Sequence, residues 1–389
     1  MSESTPALLL TPSGKPHRSL PLSWGKFGLL FFLIILLVVF LVEWVFRSII
    51  PLPVLGASFE AEPYKRLLTH QALKGVANPT RFSTNRWGIR GDEPPRNWKA
   101  WNTIIAIGSS TTLGYCLDDQ NTWPYRIQQR LKMKKPKTWV GNAGQDGVTT
   151  VASVVMMDKV IRKIRPKTVI FLAGGSDLVQ SFSDRSREHG SPYDRAFINR
   201  MESANSKPKF RGRSRLYQEY RLFVRKRTAK TLILPQAAHK NWFPPKLNNP
   251  EDSLPPDSVV LSSLPAFSQN IRRIHSLALE MNIRIVFITQ PMLYGQGQTW
   301  STLEARQIEV HHKTYHISAA TERRFQNTFN LALLSLCKSE SMECFDMASY
   351  IPNDTTFFYD QGHFNDAGAA LAANLIADYF LNDPPESSH

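Results

Sequence analysis

The longest apolar run of the chain lies near its N-terminus. Residues 27–42 are apolar apart from Gly28, and three more apolar residues follow Glu43. About twenty helical residues cross the roughly 30 Å hydrocarbon core of a bilayer. Because the run has no polar face, it predicts a membrane anchor over residues 26–48 rather than a helix of a soluble core.

Positive charges precede this run and predict its orientation. Lys15, Arg18 and Lys26 favour a cytoplasmic N-terminal tail over residues 1–25, which leaves the rest of the chain outside the cytoplasm. A cleaved signal peptide is the alternative, although its apolar stretch would be unusually long. Residues 54–58 are only a weak match to the small-residue cleavage site that it needs.

Beyond a lead-in over residues 49–100, short apolar runs alternate with segments of helical periodicity. This alternation is typical of an α/β domain with a parallel sheet, which we predict over residues 101–384. The predicted strands are residues 103–107, 138–141, 168–172, 284–289 and 342–345. The predicted helices are residues 123–133, 150–164, 265–282, 305–336 and 366–381.

The alternation fails over residues 181–264, which we interpret as an insertion or lid beside the site. The formal net charge of the chain is +15, and much of it lies between Arg200 and Lys230. Such runs are most often solvated surfaces, and the functional alternative is contact with anionic lipid head groups or an acidic glycan. Nucleic acid is not an expected partner outside the cytoplasm.

The three cysteines are too few for a disulfide framework. Cys337 and Cys344 either pair in an oxidising compartment or remain two buried thiols, and Cys116 is interpreted as a packing residue. No Cys/His spacing typical of a metal site occurs, and His311 and His312 fit a solvated helix face. We therefore expect neither a metal nor an organic cofactor.

Two short motifs about 250 positions apart contain the three groups of a nucleophilic site. Gly108, Ser109 and Ser110 follow a predicted strand, which places the Ser110 hydroxyl at the carboxyl edge of a parallel sheet, where such sheets bind ligands. Asp360 and His363 lie three residues apart, so the carboxylate can orient the imidazole that activates the hydroxyl. Taken alone, the serine motif also fits a plain turn.

Two other turns of small residues follow predicted strands and reach the same edge. Residues 141–149 include Gly147, whose lack of a side chain permits close backbone approach to the site. Residues 172–177 include Gly174, Gly175 and Ser176. Both turns are candidates for groups that stabilise an oxyanion, together with the backbone N–H of Ser110.

Together these turns resemble the four blocks of the SGNH hydrolases, the broad GDSL-type esterase family, over about residues 80–384. The resemblance implies a flavodoxin-like three-layer α/β/α sandwich with a parallel sheet, preceded here by one transmembrane helix. It implies a Ser110, His363 and Asp360 triad, and an oxyanion hole of Ser110, Gly147 and Ser176. Similar supporting motifs are Asn85–Gly91, Thr122-Trp123-Pro124, Thr289-Gln290-Pro291 and Asn365–Gly368.

Two positions depart from the family pattern. Ser109 stands where the first block has Asp, which is mainly a structural brace in the family. Ser176 stands where the third block has an Asn that donates to the oxyanion. Because losing one such donor typically lowers the rate about 100- to 1000-fold, the resemblance predicts an enzyme of reduced activity.

The resemblance and the anchor together predict a bacterial ester hydrolase in the inner membrane, with one span and its domain in the periplasm. The expected substrate is an acylated glycan or lipid of the cell surface. Two alternatives stay open at this point. One is an O-acyltransferase that uses the same acyl-enzyme, and the other is a non-catalytic binding or scaffold protein with this fold.

Overall fold

The computed structural model describes residues 24–49, 65–69, 73–183, 191–205, 261–293, 306–310, 313–317 and 319–382, with short pieces between 214 and 233. Residues 1–23 of the predicted cytoplasmic tail, the weak cleavage site, His311, His312 and most of the basic stretch lie outside the described residues. The chain divides into two compact units, residues 1–50 and residues 51–389.

The first unit contains the helix α1, Trp24–Ile49. An 18-residue window of its segment Gly25–Ser48 has a mean hydropathy of 3.1, and the apolar side chains of the helix are exposed. A helix of this length and composition can cross a membrane, and a signal sequence shares these properties. Near its C-terminal end, Arg47 donates to Glu43 at 2.8 Å, so the charges of this helix turn pair with each other.

The second unit is built on a five-stranded sheet whose paired strands are all parallel, in the order β10-β7-β5-β3-β4. This confirms the predicted α/β fold. The sheet strands are β3 Asn102–Gly108, β4 Thr138–Asn142, β5 Thr168–Ala173, β7 Arg284–Thr289 and β10 Cys344–Phe345. A second sheet, in the order β2-β1-β6, joins β1 Lys65–Thr69 and β2 Thr80–Ser83 of the lead-in to β6 Leu232–Ile233 of the insertion.

Helices cover both faces of the five-stranded sheet, which gives three layers. Successive residues of a strand point to opposite faces, so Ile105 and Ile107 pack in one core while Ile104 and Ala106 pack in the other. The helices are α2 Ser110–Leu113, α3 Trp123–Lys134, α4 Thr150–Met156, α5 Arg162–Ile164, α6 Gly175–Ser181, α7 Pro192–Asn205, α8 Leu264–Glu280, α9 Ala319–Ser339 and α10 Asp366–Asn382. A π-helical segment, Met157–Ile161, joins α4 to α5.

The prediction that residues 305–336 are largely helical is wrong for residues 306–310 and 313–317. Residues 306–310 and 313–317 form an antiparallel hairpin of strands β8 Arg306–Val310 and β9 Lys313–Ile317, and α9 begins only at Ala319. The reason is a two-residue alternation of apolar side chains, which fits a strand and not a helix.

The insertion also contains regular structure that its weak periodicity does not predict. Helix α7 packs against α4 through Phe197 and Met201, which are both buried in the same core cluster as Met156. Elsewhere, a disulfide joins Cys337 to Cys344, and Cys116 is a buried free thiol.

Candidate active site

The turn after β3 presents Ser110 at the carboxyl edge of the sheet. Gly108 has a φ of +147°, and a Cβ atom there would lie 2.7 Å from the carbonyl oxygen of Leu172. Only glycine fits this backbone, which bends sharply from the strand into α2. Ser110 is the first residue of that short helix and is partly exposed, whereas Ser109 is buried.

Three predicted site residues meet at this edge. The Oγ atom of Ser110 lies 2.8 Å from Nε2 of His363. The Nδ1 atom of His363 lies 2.7 Å from Oδ2 of Asp360, which is only 6% exposed. The Oδ1 atom of Asp360 accepts from the backbone N–H groups of Gly362 and His363, at 2.9 and 2.8 Å. The carboxylate is thereby fixed in direction, and it can hold the imidazole with Nε2 facing the serine.

The electrostatics of His363 suit a general base. Burial lowers the pKa of the imidazole, but the neighbouring Asp360 carboxylate outweighs this effect, and the net shift of the pKa is upward. Asp146 adds a smaller contribution in the same direction. A more basic imidazole accepts the serine proton more readily, provided that it is neutral at the working pH.

An aromatic ring lies against the imidazole. The rings of Tyr359 and His363 are stacked, with centroids 5.5 Å apart and an interplanar angle of 6°. Tyr359 is 5% exposed, and its hydroxyl forms a hydrogen bond with the buried thiol of Cys116. Burial is the main reason that the pKa of Cys116 rises to about 12, so this thiol is not a nucleophile at neutral pH.

The loop after β4 brings Gly147 to the site. The N–H of Gln145 donates to the carbonyl of Gly108 at 3.0 Å. The loop therefore packs directly on the serine turn, which is the turn after β3 that contains Ser110. Gly147 has a φ of +65°, and a Cβ atom there would lie 2.5 Å from the ring of Tyr193. Within the described part of the chain, the N–H groups of Ser110 and Gly147 have no acceptor, which leaves both available to a ligand oxygen.

Ser176 lies in the first turn of α6, directly after β5, which pairs with β3. Its side chain is half-buried, and its hydroxyl has no hydrogen-bond partner among the described residues. This strand end therefore adds a third polar group at the same edge. The side chain is shorter than the amide that the sequence pattern leads one to expect there.

Two carboxylates secure the backbone that follows Gly147. Asp194 accepts from the N–H and the hydroxyl of Thr149, at 2.8 and 2.6 Å. Asp177 accepts from the N–H and the hydroxyl of Thr150, at 3.1 and 2.6 Å. Burial raises the pKa of Asp177 to about 6, against the lowering effect of its Thr150 hydrogen bonds. Negative charge at the N-terminus of α4 also complements the helix dipole.

A buried guanidinium of the lead-in holds the other side of the serine turn. Arg90 is 2% exposed and donates through Nε to Asp119 at 2.9 Å. Its two terminal nitrogens donate to four backbone carbonyl groups. These belong to Arg81, Leu113, Gly114 and Leu117. All five N–H bonds of the guanidinium are used, so the lead-in is part of the support of α2.

Sequence reasoning missed several of these supporting residues. Arg90 belongs to the Asn85–Gly91 motif. The motif indicates that this segment matters to the fold, but it does not show that its arginine supports α2. Tyr193 and Asp194 lie in the weakly periodic insertion, where no local sequence pattern predicts their contacts with the site. No cluster of three or more His, Cys, Asp or Glu side chains that could hold a metal ion occurs in the described ranges.

The sequence also matches a known protein family. The profile described as GDSL-like Lipase/Acylhydrolase family matches residues 106–371, which is more than half of the chain. No curated protein matches the sequence.

Solved structures with a similar fold include several bacterial hydrolases of low sequence identity. A variant of Axe2, an acetyl-xylooligosaccharide esterase from Geobacillus, is 13% identical, with a TM-score of 0.39 and coverage of 74% of this chain and 97% of that chain. The esterase EstA from Pseudoalteromonas is 10% identical, with a TM-score of 0.38 and coverage of 72% and 100%. A GDSL-like lipase from Bacteroides thetaiotaomicron is 10% identical, with a TM-score of 0.37 and coverage of 72% and 88%.

Proposed function

The chain belongs to the GDSL-like lipase/acylhydrolase family, and we propose that it is a serine ester hydrolase with Ser110, His363 and Asp360 as its triad. The observation that carries this proposal is the 2.8 Å contact between Ser110 Oγ and His363 Nε2. A serine hydroxyl at this distance from a carboxylate-oriented imidazole can lose its proton as it attacks a carbonyl.

The proposed reaction runs in two halves. Ser110 Oγ bonds to the ester carbonyl carbon while His363 Nε2 takes the hydroxyl proton, and a tetrahedral oxyanion forms. The carbon–oxygen bond to the alcohol then breaks, the alcohol takes the proton from Nε2, and an acyl-serine remains. Water repeats these steps and releases the acid. Asp360 stays ionised throughout and stabilises the imidazolium.

The proposed oxyanion hole consists of the N–H groups of Ser110 and Gly147, with Ser176 as a third group. The two N–H groups lack acceptors among the described residues, which supports this assignment. Preorganised donors of this kind stabilise the charge that develops on the carbonyl oxygen.

The proposed location is the cell membrane, with α1 as a single span and the second unit on the extracytoplasmic side. The exposed apolar surface of Gly25–Ser48 and the preceding basic residues support it. A reporter that is active only outside the cytoplasm, fused after residue 389, is expected to be active. Activity of a cytoplasmic reporter alone at that position would contradict the orientation.

An active-site serine probe tests the catalytic proposal. A fluorophosphonate should label the wild-type protein and the Ser109→Ala variant, and it should fail to label Ser110→Ala. Ser109 is the matched control because it is the adjacent serine and is buried. Labelling that persists in Ser110→Ala would contradict the assigned nucleophile, and a wild type that never labels would favour a non-catalytic protein.

The proposed substrate is an O-acylated glycan or lipid at the cell surface. A screen of the full-length protein in detergent against short and long acyl esters is expected to show release of the acid. If the acyl group instead appears on a sugar acceptor supplied in the assay, the protein is an acyltransferase that uses the same acyl-enzyme.

A further inference from the structure

One ionisable group near the triad has no part in the proposed reaction. Asp146 immediately precedes Gly147 in the loop that packs on the serine turn. The backbone around it is closely constrained, because a Cβ atom on Gly144 would lie 2.8 Å from Cα of Leu113. The neighbouring Gln145 is 4% exposed and is bonded to Gly108. The position of Asp146 beside the site is therefore set by the backbone on both sides.

The Asp146 side chain is exposed, in contrast to its buried neighbour Gln145. In the part of the chain that the structure describes, no Lys, Arg or hydrogen-bond donor contacts its carboxylate. The surrounding protein raises its pKa by desolvation, while the attraction of His363 opposes that rise. The carboxylate is therefore accessible to solvent and close enough to His363 for the two charges to interact.

An exposed aromatic ring packs against the residue that follows this carboxylate. Tyr193 is 46% exposed, and its ring lies against Gly147, the next residue after Asp146. An aromatic face binds the apolar face of a ligand ring, and a carboxylate accepts hydrogen bonds from hydroxyl groups. Together they provide both kinds of contact that a sugar ring offers.

We propose that Asp146 determines substrate specificity, by favouring esters of uncharged polyhydroxy alcohols and disfavouring esters with an anionic group beside the ester bond. This inference rests on the proposed function and narrows its substrate class to uncharged acylated carbohydrates. An anion placed near the unpaired carboxylate is repelled, and cleft walls of low dielectric strengthen that repulsion. Acidic glycans and anionic lipids are thereby disfavoured at the site, despite the net charge of +15.

Two esters of the same shape and different charge test this inference. γ-Acetoxybutyramide is neutral and γ-acetoxybutyrate is anionic. The full-length protein in detergent, with both esters assayed at the same pH, should prefer the neutral ester by about fivefold to tenfold in kcat/KM. Asp146→Asn should reduce this preference to about twofold or less, and Asp146→Glu should retain it.

Asp378→Asn is the matched control for net charge. Asp378 lies in α10, which begins at Asp366. The two residues are twelve positions apart, so Asp378 is about 18 Å from Asp366 along the helix axis. This variant should keep the wild-type preference. The preference should also weaken as salt is added, because ions screen a solvent-accessible charge.

The outcomes separate this inference from the function on which it rests. If neither ester is hydrolysed and no serine probe labels Ser110, the proposed function fails. If both esters are hydrolysed and Asp146→Asn leaves their ratio unchanged, only the role of Asp146 is overturned. If Asp146→Asn is inactive on both esters, the test is the effect of salt on the wild-type protein. A ratio of kcat/KM for the neutral and anionic esters that does not change with salt overturns the inference.

Discussion

Nε2 of His363 lies 2.8 Å from Oγ of Ser110, although 253 positions separate the two residues in the sequence. A second contact reinforces this approach, because the hydroxyl of Thr111 donates to the carbonyl of Gly362 at 3.1 Å. Two hydrogen bonds thus join the turn that contains Ser110 to the turn that contains His363, one between the reacting atoms and one beside them. This relationship leads to four predictions.

Removal of triad members should show that they act as a unit. Ser110→Ala and His363→Ala should each abolish nearly all ester hydrolysis, and the double variant should be no worse than either single one. Asp360→Ala should lower kcat less, because Asp360 orients and stabilises the imidazole without bonding to the substrate. Steady-state kinetics of the three variants check this order, and full activity of Ser110→Ala would contradict the mechanism.

The pH dependence should report the basicity of His363. Only the neutral imidazole accepts the serine proton, so kcat/KM should rise with pH through a pKa above the ordinary value of about 6.5. In Asp360→Asn the raising effect of the carboxylate is lost and the lowering effect of burial remains. The midpoint of the profile should therefore move to lower pH while kcat falls. A midpoint that stays in place would show that Asp360 does not control this pKa.

The side chain at position 176 should set the turnover of the enzyme. If the Ser176 hydroxyl is a poor oxyanion donor, Ser176→Asn should raise kcat about tenfold, and Ser176→Ala should change it little. If the hydroxyl does donate, Ser176→Ala should instead lower kcat about 100-fold. We expect the first pattern, because the serine side chain is shorter than the amide. Lower activity in Ser176→Asn, with an unchanged circular dichroism spectrum, would contradict it.

Arg90 should support both stability and the serine turn. Arg90→Met removes the buried guanidinium that donates to Asp119 and to four carbonyl groups, so the free energy of unfolding should fall by about 3–5 kcal/mol. Arg130→Met is the matched control, because Arg130 pairs with Asp378 at the surface, and it should change stability by no more than about 1 kcal/mol. Urea unfolding followed by tryptophan fluorescence measures both. Equal effects in the two variants would overturn the role of Arg90.

Arg90→Lys separates the charge of this residue from its geometry. Lysine keeps the positive charge but cannot supply five planar N–H bonds. It should therefore restore only part of the stability, and labelling of Ser110 by a serine probe should stay slower than in wild type.

Local sequence alone determined the sheet strands and most of the helices. Runs such as residues 104–107 and 285–288 are continuous in apolar residues because a parallel strand is buried on both faces. The three-residue spacing of Asp360 and His363 permits their contact, and the loop conformation in the structure realises it. The two-residue alternation of apolar side chains in β8 and β9 also indicates strands, in contrast to the predicted helix.

Only the tertiary structure decided the contacts between distant segments. No local pattern shows that Tyr193 of the insertion lies on Gly147, that Arg90 of the lead-in supports α2, or that Cys337 bonds to Cys344. These contacts depend on how strands and helices pack, because packing fixes distances between residues far apart in sequence. The motifs identified Ser110 and His363 as candidates. Their contact depends on tertiary packing, which brings the loop before α10 to the carboxyl end of β3.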